Sequence, residues 1–145
     1  MVKKIDHINI VVKNLNEAKA FFLKIGFTLQ HEGILEGDWI DTLTGLVNVK
    51  AEYVGLSLEN SETNLELLQF YHPIGKRDEN AYSFNQMGFR HMAFEVSNIE
   101  NVVKKLKKEG VKFFSKIQEY KGANKKLCYF QGPEGIVLEL AEYEK

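Results

Sequence analysis

The chain has 145 residues, 44% of them hydrophobic and 27% charged, with a formal net charge of −1. This length suits one domain or two small units sharing a core, and the composition is that of a soluble globular protein. The near-neutral charge, with lysines spread along the chain, leaves no electrostatic case for nucleic acid or a membrane surface as partner.

Met1-Val2-Lys3-Lys4-Ile5-Asp6 leads straight into a strand pattern, so neither a signal peptide nor a membrane span is expected, and the chain reads as cytoplasmic. Ile8, Ile10 and Val12 alternate towards one side, which turns His7 to the other face of the sheet. Asn14 is an N-cap for the next helix, with Glu17 three residues on. Leu15, Ala18, Phe22 and Ile25 have helical spacing, and Gly26 ends the helix where a positive φ costs glycine little. His31 follows in an exposed strand. Residues 33–45, which carry Trp39, read as a loop crossing a pocket. Strands over 47–58 and 64–71 flank a polar turn at 59–63. Residues 72–88 are polar and read as a linker, so the expected organisation is a module over 1–71, a linker over 72–88 and a module over 89–145. His72 at its start is a weak candidate for touching substrate.

The second module repeats the first. Residues 89–99 align without a gap on residues 5–15, matching His91 to His7, Val96 to Val12 and Asn98 to Asn14. Ile99, Val102, Val103 and Leu106 form the apolar stripe of its helix, and Gly110 matches Gly26. The run of Lys104, Lys105, Lys107 and Lys108 is that helix's solvated face. Strands over 126–130 and 136–143 flank the breaker run Gly132-Pro133-Glu134-Gly135. Leu138-Glu139-Leu140 then matches Leu65-Glu66-Leu67. Cys128 lies in an apolar run and reads as a small core residue; a single cysteine excludes an internal disulfide and suits a reducing compartment.

The alternation puts Leu65, Leu67, Leu138 and Leu140 on the helix side, and Glu66 and Glu139 on the face that carries His7 and His91. If the modules pack about a pseudo-twofold axis, two imidazoles and two carboxylates converge. This donor set suits Zn, Ni, Co, Mn or Fe as a divalent ion, with an open position for water or substrate. The expected metal ligands are therefore His7, Glu66, His91 and Glu139.

The openings Asp6-His7-Ile8 and Phe89-Arg90-His91-Met92-Ala93-Phe94-Glu95-Val96 resemble those of the vicinal oxygen chelate superfamily, which includes glyoxalase I, methylmalonyl-CoA epimerase, extradiol dioxygenases and the fosfomycin- and bleomycin-resistance proteins. So do the closings Leu65-Glu66-Leu67-Leu68 and Gly132 to Leu140. The resemblance covers essentially the whole chain. It implies an α+β fold of two tandem βαβββ modules forming a cupped, mixed eight-stranded sheet with helices outside. The four-ligand set looks most like glyoxalase I and methylmalonyl-CoA epimerase. It implies a lyase or isomerase that moves a proton next to a carbonyl through a metal-stabilised enediolate, with Glu139 as first base and Glu66 as second. The implied substrate is a small hemithioacetal, acyl-CoA or other oxygen-chelating compound, and the implied assembly is a homodimer. An extradiol-type dioxygenase and a non-catalytic small-molecule binder are the alternatives within the group. Lys121, Lys125 and Lys126, in an expected loop, are candidates for substrate phosphates or carboxylates. Trp39, Phe70, Tyr71 and Tyr82 are candidates for an apolar lining, and Arg90 is expected on the helix side or at an edge.

Overall fold

The computed structural model describes residues 1–78 and 83–145, so Tyr82 lies outside the described residues. The chain divides into two units, Met1–Lys76 and Arg77–Lys145.

The first unit runs β1 (His7–Val11), α1 (Leu15–Lys24), β2 (Thr28–Glu36), α2 (Asp38–Thr44), β3 (Lys50–Ser57) and β4 (Asn64–His72). Its mixed sheet has the order β1-β4-β3-β2, with β1 parallel to β4 and the other pairs antiparallel. Helix α1 starts where the sequence indicates: the Asn14 side-chain oxygen accepts from the Glu17 N–H at 3.1 Å. Leu15, Ala18 and Phe22 are its buried stripe. They cover the sheet face formed by Val54, Leu56, Leu65 and Leu67, all at or below 2% exposure. Phe22 meets Phe21 and Phe27 edge-on, each with centroids 5.4 Å away. This geometry aligns ring edges with ring faces.

Residues 33–45 are not a loop. Strand β2 continues to Glu36 and helix α2 follows. Ile40 is the buried anchor of α2 and packs with Val49, Ala51 and Leu68. The Asp41 carboxylate accepts from the Asn48 and Val49 N–H groups at 2.9 and 2.8 Å, tying the helix to the start of β3. That tie, with Asn48 at φ 54°, delays β3 to Lys50, where the apolar pattern alone starts the strand at Val47. A helix of seven residues with one buried side chain has too little periodicity to show in sequence.

The second unit runs β5 (His91–Glu95), α3 (Ile99–Lys108), β6 (Gln118–Tyr120), β7 (Lys125–Gln131) and β8 (Val137–Tyr143). Its sheet order, β5-β8-β7-β6, repeats the first, with β5 parallel to β8. Asn98 caps α3 by accepting from the Asn101 N–H at 3.0 Å. Ile99 and Leu106 pack over Cys128, Phe130, Leu138 and Leu140, all buried. The α+β class and the strand–helix–strand–strand–strand order hold in both units, with α2 as an addition to the first. The eight strands form two four-stranded mixed sheets, one in each unit.

Candidate functional site

In the first unit the parallel pairing of β1 and β4 sets Asn9 against Glu66, with His7 two residues earlier on the same face. The Asn9 amide donates to Glu66 Oε1 at 2.9 Å. His7 Nδ1 and Asp6 Oδ2 lie 2.8 Å apart. The Asp6 hydrogen bond holds the His7 imidazole above its ordinary pKa of 6.5, with smaller help from the charges of Glu66 and Asp6. With Nδ1 occupied, Nε2 is the nitrogen left to bind a ligand. A carboxylate on the far nitrogen of a histidine is the usual way to fix ring orientation at a metal.

In the second unit the parallel pairing of β5 and β8 sets Ala93 against Glu139, and His91 again lies two residues earlier. Register and spacing therefore repeat those of the first unit. Here the histidine and glutamate touch: His91 Nε2 and Glu139 Oε2 are 2.9 Å apart. Glu139 is 4% exposed and is the buried charged residue among those described. Its other oxygen lies 3.4 Å from Lys125 Nζ. A carboxylate removed from water needs such compensation. Tyr129, directly across from Glu139 in β7, sets its ring against His91 with centroids 5.2 Å apart.

The other candidates separate by face. Lys125 and Lys126 belong to β7, not to a loop; Lys126 pairs with Glu100 of α3 at 2.9 Å, on the helix side. Lys121 lies in a short 3-10 turn before β7. His72 Nδ1 is 2.8 Å from the Asn48 carbonyl, a contact that ties it to the turn before β3. Phe70 joins the Ile40 cluster, and the Trp39 indole donates to the Glu36 carbonyl at 3.0 Å. Tyr71 is exposed. Arg90 donates to the Ser83 carbonyl at 3.3 Å.

Sequence reasoning missed Asp6, Asn9, Lys125 as a carboxylate partner, and Tyr129. Asp6 acts through sequence adjacency to His7, Asn9 shares a face with His7 by alternation, and Lys125 and Tyr129 share a face with Glu139 only once the register of β7 and β8 is known. His31 also gains a place. It pairs with Gly55, itself opposite Glu66, and its ring lies over Gly55 where a Cβ would stand 2.7 Å from Cε1. The glycine thus leaves room for an imidazole on the Glu66 face.

Each unit brings together one of the two predicted histidine and glutamate pairs. Among the described residues no three His, Cys, Asp or Glu side chains gather as a metal cage. The chemistry of the donors nevertheless fits a divalent ion. The His7 ring is oriented by a carboxylate, and the His91 ring presents Nε2 to a buried carboxylate that a cation would also seek.

Residues 4–140 match the profile of the Glyoxalase/Bleomycin resistance protein/Dioxygenase superfamily. The chain is 31% identical over 143 residues to the uncharacterized protein YaeR of Escherichia coli, covering 97% of both chains. It is 31% identical over 85 residues to glyoxalase I of Saccharomyces cerevisiae, a match spanning 54% of this chain and 26% of the yeast protein. A glyoxalase family protein of Bacillus cereus superposes with a TM-score of 0.89 at 30% identity, covering 98% of this chain and 95% of the other. FosX of Listeria monocytogenes, a fosfomycin resistance protein solved with Mn(II) and a dihydroxypropylphosphonic acid, shares the fold with a TM-score of 0.62 at 17% identity, over 99% of this chain and 95% of the other.

Proposed function

The chain belongs to the glyoxalase/bleomycin resistance/dioxygenase superfamily, and from that premise we propose that it is a metal-dependent lyase or isomerase of the glyoxalase I or methylmalonyl-CoA epimerase type. The reaction is proton transfer next to the carbonyl of a small hemithioacetal, thioester or related oxygen-chelating substrate. The observation that carries this reading is the repeated register: in both units a histidine sits two residues before the position that faces a glutamate on the parallel strand. A fold that merely exposes a polar strand face has no reason to reproduce both residue types at both places.

On this reading His7, Glu66, His91 and Glu139 are the ligands, within one chain or shared by the two chains of a homodimer. A divalent ion held by these four residues would supply Lewis acidity, which polarises a substrate carbonyl and acidifies the neighbouring C–H. Asp6 holds the His7 ring by its Nδ1 hydrogen bond, and Asn9 holds Glu66 through Oε1. Glu139 and Glu66 are the groups that take up and return the proton. Glu139 carries the first role, because its burial keeps solvent from the transferred proton. FosX of Listeria monocytogenes, which shares the fold, binds Mn(II) and a dihydroxypropylphosphonic acid, and this supports a metal and a small oxygen-rich ligand for a site of this kind.

The test is deuterium incorporation from D₂O into a panel of hemithioacetals and acyl thioesters, with Ni²⁺, Co²⁺, Zn²⁺ or Mn²⁺ added under anaerobic conditions. Exchange at the carbon next to the carbonyl, abolished in Glu139→Gln, is the expected result. A turnover that requires O₂ would instead identify the dioxygenase chemistry of the same superfamily. Absence of any metal uptake would leave the family's binding proteins as the model.

A further inference from the structure

Glu139 differs from its counterpart in one respect that the repeat does not predict. Glu66 is half-buried and accepts from a neutral amide, whereas Glu139 is buried and shares its charge with an ammonium. Lys125 is placed for this by the sheet itself. It pairs with Tyr143 in the β7–β8 ladder, four residues from Tyr129 and so on the same face as Glu139. Its stem runs along that face, its ammonium sits 5.8 Å from the Tyr143 ring centroid, and its side chain is 20% exposed.

We propose that Lys125 is a resident counter-cation for Glu139: it balances the buried carboxylate in the metal-free protein and competes with the divalent ion for it. The inference rests on the metal reading above. The electrostatic argument has two parts of opposite sign. Without a divalent ion, removing Lys125 leaves a buried carboxylate with the His91 imidazole as its remaining side-chain partner, which is costly. A divalent ion held by Glu139 would meet the repulsion of the same ammonium, which would also draw electron density from the carboxylate. Lys125 thus stabilises the empty state and weakens the loaded one.

The opposite signs give a test that an ordinary structural lysine does not pass. Wild type, Lys125→Met and Lys125→Arg are purified metal-free. Thermal unfolding is recorded for each, and Zn²⁺ affinity is measured by competition with a chromophoric chelator. Lys125→Met is expected to unfold roughly 3 °C lower when metal-free and to bind Zn²⁺ about tenfold more tightly. Saturating Zn²⁺ then restores its unfolding temperature to the wild-type value or above. Lys125→Arg keeps the charge and behaves as wild type in both measurements. If Lys125→Met binds Zn²⁺ no more tightly than wild type, or loses no stability when metal-free, the role assigned to Lys125 is wrong while the metal reading stands. If wild type binds no Zn²⁺, the metal reading fails and takes this inference with it.

Discussion

The two units repeat a register but not an environment. At β1–β4 the histidine is oriented from behind by Asp6, and the glutamate is half-buried with an amide for company. At β5–β8 the histidine bonds the glutamate directly, an ammonium takes the second oxygen, and the carboxylate is out of water. The two units share which strands pair and where the His and Glu residues fall. Their neighbours differ, so that one unit carries a pre-oriented imidazole and the other a pre-compensated carboxylate. The first pair is suited to exchange with solvent, and the second to holding charge where water is scarce.

The largest expected effect falls on the buried pair. Glu139→Leu removes a proposed ligand and strands the Lys125 ammonium, so on the proposed function metal content should fall to background and exchange activity with it. Glu66→Leu removes the equivalent proposed ligand from a wetter setting, and should lose metal affinity by a smaller factor and fold more readily. Metal analysis of the purified variants checks both. Equal losses of fold and metal in the two would mean that the environments described here do not matter.

Next in size is Asp6→Asn. Loss of a carboxylate behind a ligating histidine costs about 10- to 100-fold in metal affinity, and Zn²⁺ titration at pH 8 measures it. The pH dependence has a definite sign. Asp6 raises the His7 pKa above 6.5, so if His7 is a ligand as proposed, protons should displace the metal from the wild type as pH falls through that raised value. In Asp6→Asn the midpoint of metal loss should move to lower pH. In the metal-free protein the linkage runs the other way. The pair contributes stability below pH 6.5 that fades as pH rises through the folded His7 value, and is lost again in acid as Asp6, whose own pKa is lowered by the same hydrogen bond, takes up its proton. A loading midpoint unmoved by Asp6→Asn would remove Asp6 from the site.

How much of this stood in the sequence depends on the distance over which each feature is specified. The helices α1 and α3 were legible because cap, stripe and terminal glycine all lie within one short continuous segment, residues 14–26 and 98–110. Strands β4 and β8 were legible because Leu-Glu-Leu alternation survives in both copies. The four ligand-type residues followed from that alternation. What stayed hidden depends on register between strands: Asn9 beside Glu66, Lys125 reaching Glu139, and His31 lying over Gly55. No single-strand pattern reveals a cross-strand neighbour. Helix α2 stayed hidden because its placement rests on Asp41 holding two backbone N–H groups seven and eight residues away, a contact with no local signature.

That contact gives a difference between the units that has nothing to do with the metal. Among the described residues the second unit has no counterpart of α2, so Asp41→Ala should destabilise the first unit alone. The exposed Asn48 N–H and the part-buried Val49 N–H lose a charged acceptor, and a cost of about 1–2 kcal/mol follows. Hydrogen exchange checks it: protection should fall in α2 and β3 while β7 and β8 keep theirs. Uniform loss across the chain would show that the units unfold as one.

The smallest effects test whether the units are still alike where they should be. Asn14 and Asn98 cap their helices with the same geometry, accepting at 3.1 and 3.0 Å from the third residue on. Replacing either with alanine removes one side-chain acceptor from an orphan N–H, at a cost of about 1 kcal/mol in each case. The cap of α1 has an acidic residue in the first turn at Glu17, and that of α3 has Glu100, so the helix dipole does not distinguish them. Urea denaturation of Asn14→Ala and Asn98→Ala should therefore give midpoints lowered by the same amount. A clear inequality would place divergence in the helices as well as in the ligand environments, and the contrast between the two sites could no longer be credited to the strand faces alone.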